Sequence, residues 1–291
     1  MNNAQQKAKA LVEALGYIQR FHEKTIVVKV GGSVLDDDAQ LAAILTDVVF
    51  MNYVGLRPIV VHGGGKAINA AMAEAGLEPQ MVQGRRYTDD RTLAIVEHVL
   101  CNVVNAQLVK FMNAQGVEAM GLHSLSSPVL QAEKIFLPGE GGRRIDIGFV
   151  GEVTQVNSRL LELLVRADSI PVVASVARDP GGGSLNVNAD TAAGAVAATM
   201  NAEKFVCVSD THGIRTDPDD PSSVISSLTL TEIEKLKQDG TISRGMLPKV
   251  EACEAALRGG VKKAHIIDGR IPHALLLEIY TEAGIGTQIT L

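Results

Sequence analysis

Short runs of β-branched and apolar residues alternate along the chain with longer segments rich in alanine and leucine. The runs "TIVVKV" (25–30), "RPIVVH" (57–62), "IPVVASV" (170–176), "KFVCVS" (204–209) and "KAHIID" (263–268) are apolar almost throughout rather than at every second residue. A strand that is apolar on both faces is buried on both, which predicts a parallel sheet covered by crossover helices. Between the first runs, "AQLAAILTDVVFMNYVG" predicts a helix closed by Gly55, and "DDRTLAIVEHVLCNVVNAQLVKFMNAQG" a longer one that begins after Thr88 and closes at Gly116. From about 120 to 156 the plan changes: "VLQAEKIFL", "RRIDIGFVGEV" and the turn "PGEGG" predict strands joined by hairpins, an antiparallel insertion. The glycine cluster "DPGGGS" (179–184) predicts a boundary near residue 178. Ahead of the first strand, "AKALVEALGYIQRFHEKT" places Leu11, Leu15 and Ile18 on one helical face, although a sheet that starts at residue 25 does not require that helix.

Composition narrows the function. With 291 residues, 46% of them hydrophobic, but only four Tyr, six Phe and no Trp, the core must be aliphatic. A net charge of −6 argues against nucleic acid and anionic membrane as main partners, because an acidic surface gains nothing from releasing their counterions. No apolar run approaches the roughly 18 residues of a membrane span, and the polar start "MNNAQQKAKA" lacks a signal peptide's apolar stretch, so a cytoplasmic protein is expected. Cys101, Cys207 and Cys253 are an odd number in apolar surroundings and read as buried free thiols. The histidines show neither HxxxH nor HExxH spacing, so no zinc site held by the protein alone is expected.

Glycine motifs supply the candidate chemistry. "IVVHGGGKAIN" (59–69) sits where a strand would meet a helix, but it fails the Walker A pattern at Val60 and Ala67 and the dinucleotide pattern at Ile68. Consecutive glycines there allow backbone amides to approach an anion, or simply allow a tight turn. "KVGGS" (29–33) ends the first core strand, and its Lys29, set in an apolar strand, needs an anion or solvent for its ammonium. "LNVNAD" (185–190) leads Asn188 and Asp190 into a helix of small residues, where either could be a cap. Lys249 falls in the first turns of a helix within "SRGMLPKVEACEAAL".

The series "VKVGG", "VHGGG", "GRRYTD", "NVNAD", "SDTHGI", "GMLPKV" and "GRIPHALLLEIYTEAGIGTQI" resembles the amino-acid kinase family along nearly the whole chain. The resemblance implies an α/β fold, a three-layer αβα sandwich with a mainly parallel central sheet, a β-hairpin insertion and an extra N-terminal helix. It implies an oligomerisation and regulatory helix over 1–24, an acceptor-binding and dimerisation half over 25–178 and an ATP-binding half over 179–291. The branch most similar phosphorylates the γ-carboxylate of N-acetyl-L-glutamate with ATP and Mg2+ in arginine biosynthesis; "GRRYTD" and "LNVNAD" favour that acceptor over glutamate, aspartate, carbamate or a nucleoside monophosphate. By resemblance Lys29, Lys249 and Asp190 are catalytic, the lysines flanking the transferring phosphoryl group and Asp190 holding both. Gly64 and Gly65 would bind the acceptor with Arg86 and Asn186. Gly31 and Gly32 would meet the ATP phosphates, while Asp210, Thr211, His212, Gly213, Ile214, Arg215, Thr241, Ile242 and Ser243 would line the nucleotide. "EALGYIQRF" resembles the N-terminal helix of arginine-inhibited members, which implies an L-arginine site at Tyr17, His265, Glu278 and Gly284, a homohexamer built as a trimer of dimers, and in some members a docked PII protein. A catalytically silent arginine sensor is the rival of another class; retention of Lys29, Asp190 and Lys249 argues against it. Lys66 and Arg85 depart from the family pattern, and Lys66 is expected to point to solvent.

Overall fold

A computed structural model describes residues 3–217, 220, 223–242, 245–282 and 284–291. In chain order, helix α1 (Asn3–Phe21) leads into strand β1 (Thr25–Val30), followed by α2 (Asp38–Tyr53), β2 (Arg57–His62) and α3 (Gly65–Glu74). A small hairpin, β3 (Met81–Val82) and β4 (Arg85–Arg86), precedes the long helix, which runs as α4 (Asp90–Glu97), a π-helical turn (His98–Val104) and α5 (Asn105–Asn113). Then come β5 (Ala119–Leu122), β6 (Leu130–Pro138), β7 (Arg144–Val156), α6 (Ser158–Arg166), β8 (Ile170–Ala174), β9 (Val176–Arg178) and β10 (Ser184–Val187). The last third holds α7 (Ala189–Thr199), β11 (Lys204–Ser209), β12 (Ser227–Thr229), α8 (Leu230–Gln238), α9 (Leu247–Arg258), β13 (Lys263–Asp268), α10 (Ala274–Tyr280) and β14 (Thr287–Thr290).

Eight strands form one sheet in the order β12-β14-β13-β11-β1-β2-β8-β5, parallel except where β14 runs against β13. The five core runs read from the sequence are its centre. The expected hairpin insertion is β6 and β7, paired antiparallel, and they close with β9 and β10 into a small four-stranded barrel. The glycine cluster is the turn between β9 and β10, which pair antiparallel, and Asp179 anchors it by accepting from the Gly183 amide at 2.8 Å.

The period of two along a strand decides what each face sees. Ile26, Val28 and Val30 pack with Val60 and Val206 in the layer of α2 and α10. Val27 packs the other way, with Ile59, Val61, Phe205 and the small residues of α7. Lys29 shares the Val27 face, so its side chain is sent toward α7 and α9, where a charge needs partners.

One expectation is corrected. The composite helix Asp90–Asn113 has 24 residues and a window of mean hydropathy 1.4, long and apolar enough by composition to cross a membrane. Glu97, His98, Asn102 and Asn105 interrupt its apolar residues, which hides the stretch when the sequence is read residue by residue. Val96, Leu100, Val104 and Leu108 on it are buried in the domain interior, which makes its apolar stripe a core face.

Candidate active site

Three elements that meet at the C-terminal edge of the sheet build the site. Asn188 caps α7, its side chain accepting from the amides of Asp190 at 2.8 Å and Thr191 at 3.2 Å. With the cap supplied by Asn188, Asp190 is turned inward. Its Oδ1 lies 2.9 Å from Lys29 Nζ and its Oδ2 3.8 Å from Lys249 Nζ, the latter on the first turns of α9. The Cys207 thiol, register partner of Lys29 across β1 and β11, adds a 3.4 Å hydrogen bond to Oδ1.

The electrostatics follow from burial. Burial alone would raise the Asp190 carboxyl, but the charges of Lys29 and Lys249 outweigh it and hold the group below the usual carboxylate range. Burial likewise opposes the charge on Lys29, and Asp190 reverses the balance and raises it. Both groups are therefore ionised at neutral pH. Two ammonium groups against one carboxylate leave the cluster positive, a suitable environment for a phosphoryl group. Breaking such a buried pair from one side typically costs about 3–5 kcal/mol, because a charge is stranded.

A cavity of about 280 Å³ beside the cluster is lined by Lys29, Gly31, Gly32, Gly63–Gly65, Arg86, Asn186 and Asp190 among others. Gly31 is required by space: a Cβ there would collide with the Lys29 ammonium. Gly32 has φ +67°, and a Cβ there would lie 3.6 Å from the carboxylate of Asp210. Gly64 is the N-cap of α3, whose first turn has no side-chain cap, so its leading amides are left for a ligand.

Arg86 reaches the cavity from the β3–β4 hairpin. Its Nη2 donates to Asn69 Oδ1 at 2.5 Å and to the Gly65 carbonyl at 3.2 Å, while Nη1 approaches Met72 Sδ at 3.2 Å. Partial burial lowers its pKa from the ordinary arginine value, leaving it a cation. Asn186 Nδ2 donates to Thr88 Oγ1 at 3.2 Å, and Thr88 donates to the Arg86 carbonyl at 2.9 Å, so the two expected acceptor residues are tied through a fully buried threonine. Nothing in the sequence assigns Asn69 or Thr88 a place at the site, although both lie in or beside its motifs. Lys66 forms an exposed pair with Asp36 at 3.2 Å, as its expected solvent position requires.

The expected nucleotide residues lie outside this cavity. Asp210 follows β11 and comes to Gly32. His212 Nδ1 is 2.8 Å from Asp268, which also binds Arg270 through Nε at 2.9 Å and Nη2 at 2.7 Å. Thr211 Oγ1 is buried without a partner among the described residues. Gly213 has φ +119°, and Arg215 makes an isolated bridge to Val224. Ile214 and Ile242 are buried in the core, so only their backbones are available to a ligand. Thr241 donates its amide to Asp239 in the turn after α8, and Ser243 lies outside the described residues.

At the opposite edge of the sheet, a cavity of about 400 Å³ is lined by Tyr17, His265, Glu278 and Gly284, all four expected regulatory residues, together with Arg20, Lys204 and Lys263. Lys204 Nζ is 3.1 Å from His265 Nε2, and His265 Nδ1 is 2.6 Å from Glu278 Oε1. Glu278 Oε2 also accepts from the amides of Ile285 at 2.8 Å and Gly286 at 3.1 Å. Burial raises the Glu278 carboxyl, but the bond from His265 and these amides bring it below its ordinary value. Burial and neighbouring Lys263 lower Lys204 to about 8.

Comparison with known proteins gives this geometry a family. The sequence profile of the amino acid kinase family matches residues 24–268, and the chain belongs to that family: it is a kinase. Among its curated relatives are the acetylglutamate kinase of Symbiobacterium thermophilum, 44% identical over 97% of both chains, and that of Synechococcus elongatus, 46% identical over 98% of this chain and 93% of the other. Those relatives place it in the acetylglutamate kinase branch of the family. The fold is shared with the N-acetylglutamate synthase of Neisseria gonorrhoeae solved with coenzyme A and N-acetylglutamate, at a TM-score of 0.85 and 24% identity over 98% of this chain and 63% of the synthase. It is shared more loosely with carbamate kinase of Giardia lamblia, at a TM-score of 0.63 and 15% identity over 92% of this chain and 98% of that one.

Proposed function

We propose that the protein transfers the γ-phosphoryl group of ATP to the γ-carboxylate of N-acetyl-L-glutamate, the carboxyl-phosphorylating step of arginine biosynthesis. The observation that carries this reading is the Lys29–Asp190–Lys249 cluster opening onto a cavity whose walls are the two glycine loops and Arg86. The acceptor carboxyl, with an ordinary pKa of about 4.3, is ionised at neutral pH, so its oxygen attacks phosphorus without a general base. As the new P–O bond forms, the bond to the ADP oxygen breaks and ADP leaves with the electron pair, giving an acyl phosphate. The barrier is the repulsion of two anions, and Lys29 and Lys249 lower it from the flanks of the moving phosphoryl group. Asp190 keeps the two ammonium groups apart and aimed. His62 has no proton to move in this scheme; burial holds its pKa at about 4.

Mg2+, when bound with ATP, would neutralise charge on its phosphates. The exposed Asp210 carboxylate beside Gly32 is the oxygen donor that would hold it, since Asp190 is engaged by both lysines and Cys207. The amides of Gly64 and Gly65, the Arg86 guanidinium and the Asn186 amide suit the acceptor's carboxylate and acetamido groups.

The second cavity supports feedback inhibition by L-arginine. Its charged Glu278 suits a guanidinium, while Arg20, Lys204 and Lys263 suit an α-carboxylate. Tyr17 and Arg20 come from α1, so a ligand there would tie α1 to the body. Nearer the N-terminus of α1, Leu11, Val12 and Leu15 are 68%, 71% and 49% exposed, an apolar face that fits pairing with the same helix of a second copy in a hexamer.

The reading is tested by ADP release with ATP, Mg2+ and a panel of acceptors. Release is expected with N-acetyl-L-glutamate and not with glutamate, aspartate, carbamate or a nucleoside monophosphate. Release with one of those instead would transfer the protein to another branch of the family, and no release with any would favour the silent sensor.

A further inference from the structure

His62 and Asn105 are buried, lie outside the phosphoryl-transfer chemistry and touch each other, and both lead to the acceptor loop. Asn105 Nδ2 is 3.0 Å from His62 Nε2 and 2.9 Å from the Val172 carbonyl. The Val172 carbonyl can only accept, which orients the Asn105 amide with its NH2 toward both partners. That NH2 can only donate. His62 Nε2 must therefore be the bare nitrogen, and the ring proton sits on Nδ1, which lies 3.0 Å from the Gly63 carbonyl and donates to it. Burial keeps the ring neutral, so this arrangement is not scrambled by protonation at neutral pH.

The consequence falls on one peptide group. There are no cis bonds among the described residues, and in a planar trans peptide the N–H points opposite the C=O. Drawing the Gly63 carbonyl toward His62 turns the Gly64 N–H the other way, and Gly64 is one of the residues that line the cavity. The π-helical turn is what makes this reach possible. Asn105 N–H bonds back to the Leu100 carbonyl, five residues earlier, so the helix surface is rotated locally. That rotation presents Asn105 to His62 while Leu100 and Val104 back onto Gly64, where a Cβ would meet Leu100 Cδ2 at 2.7 Å and Val104 Cγ2 at 3.4 Å. Gly121 completes the fit, because a Cβ there would collide with Asn105 Oδ1.

We propose that Asn105 is a positioning residue for the acyl acceptor: it fixes the His62 tautomer, and His62 in turn aims the Gly64 amide. The role rests on the assignment of Gly64 to the acceptor, and two measurements separate them. In nitrogen-15 NMR of histidine-labelled protein at neutral pH, His62 is to show a protonated Nδ1 and a bare Nε2; the opposite tautomer overturns the proposal whatever the substrate is. In Asn105→Leu, the Nδ1–H signature is to be lost or mixed, and the KM for N-acetyl-L-glutamate is to rise about tenfold, while kcat and the KM for ATP change less than about threefold. An Asn105→Leu protein that folds and keeps both its acceptor KM and its tautomer overturns it as well. If Asn105→Leu does not fold, the wild-type spectrum decides. Absence of wild-type turnover with N-acetyl-L-glutamate would instead remove the acceptor assignment and leave the tautomer result standing.

Discussion

The two edges of the central sheet carry the same kinds of side chain in two different arrangements. At the C-terminal edge Lys29 of β1 pairs directly with Asp190, and each charge sustains the other. At the N-terminal edge Lys204 of β11 is separated from Glu278 by the His265 ring, and its pKa falls to about 8. Direct pairing keeps a lysine charged through burial, which is what stabilising a phosphoryl group demands. Interposing a neutral ring weakens that hold and leaves a carboxylate, fixed by His265 and two amides, facing a cavity that a cationic ligand can enter. Strand register separates the two: Lys29 sits opposite Cys207 near one end of the β1–β11 ladder, and Lys204 opposite Ile26 at the other.

The contrast breaks most sharply at Lys249. Replacing it by alanine removes a cation from the cluster while leaving Arg86 and the glycine loops in place, so turnover is expected to fall about 10³-fold with acceptor binding retained. Steady-state kinetics beside calorimetric binding of N-acetyl-L-glutamate checks this, and a near-normal kcat would take Lys249 out of the chemistry. Arg86→Ala touches the acceptor before and during transfer, so the acceptor KM is expected to rise roughly 10- to 100-fold with a smaller change in kcat. A fall in kcat alone would place Arg86 with the phosphoryl group instead.

Much of this was legible before the structure because the physics is local. A run such as "KFVCVS" is bounded by polar residues and apolar on both faces, and β11 occupies those residues, 204–209. The β6–β7 hairpin could be read from its turn. Its closure with β9 and β10 could not, since strands of three and four residues carry no periodic signal and their pairing is settled by distant partners. The same holds at the sites. Motifs pointed to Lys29, Asp190, Arg86 and Glu278. Asn69 and Thr88 lie within the quoted motifs, but nothing local showed that Asn69 would meet Arg86 or that Thr88 would meet Asn186, and Lys204 meets His265 across 61 residues of chain. The π-turn that presents Asn105 was equally silent, because one residue of extra winding does not disturb the apolar pattern of a long helix. Ile214 and Ile242 show the converse: adjacency to a motif suggested ligand contact, and the core took their side chains.

The separateness of the two edges is the central claim, and one titration addresses it: ADP release by the full-length protein and by Glu278→Gln with ATP, Mg2+ and N-acetyl-L-glutamate across a range of L-arginine. Release is expected from both proteins without arginine, with inhibition of the wild type and a half-inhibitory concentration at least about tenfold higher in Glu278→Gln, which lacks the charge proposed to meet the guanidinium. Equal inhibition of both, or none of the wild type at millimolar arginine, would contradict the claim.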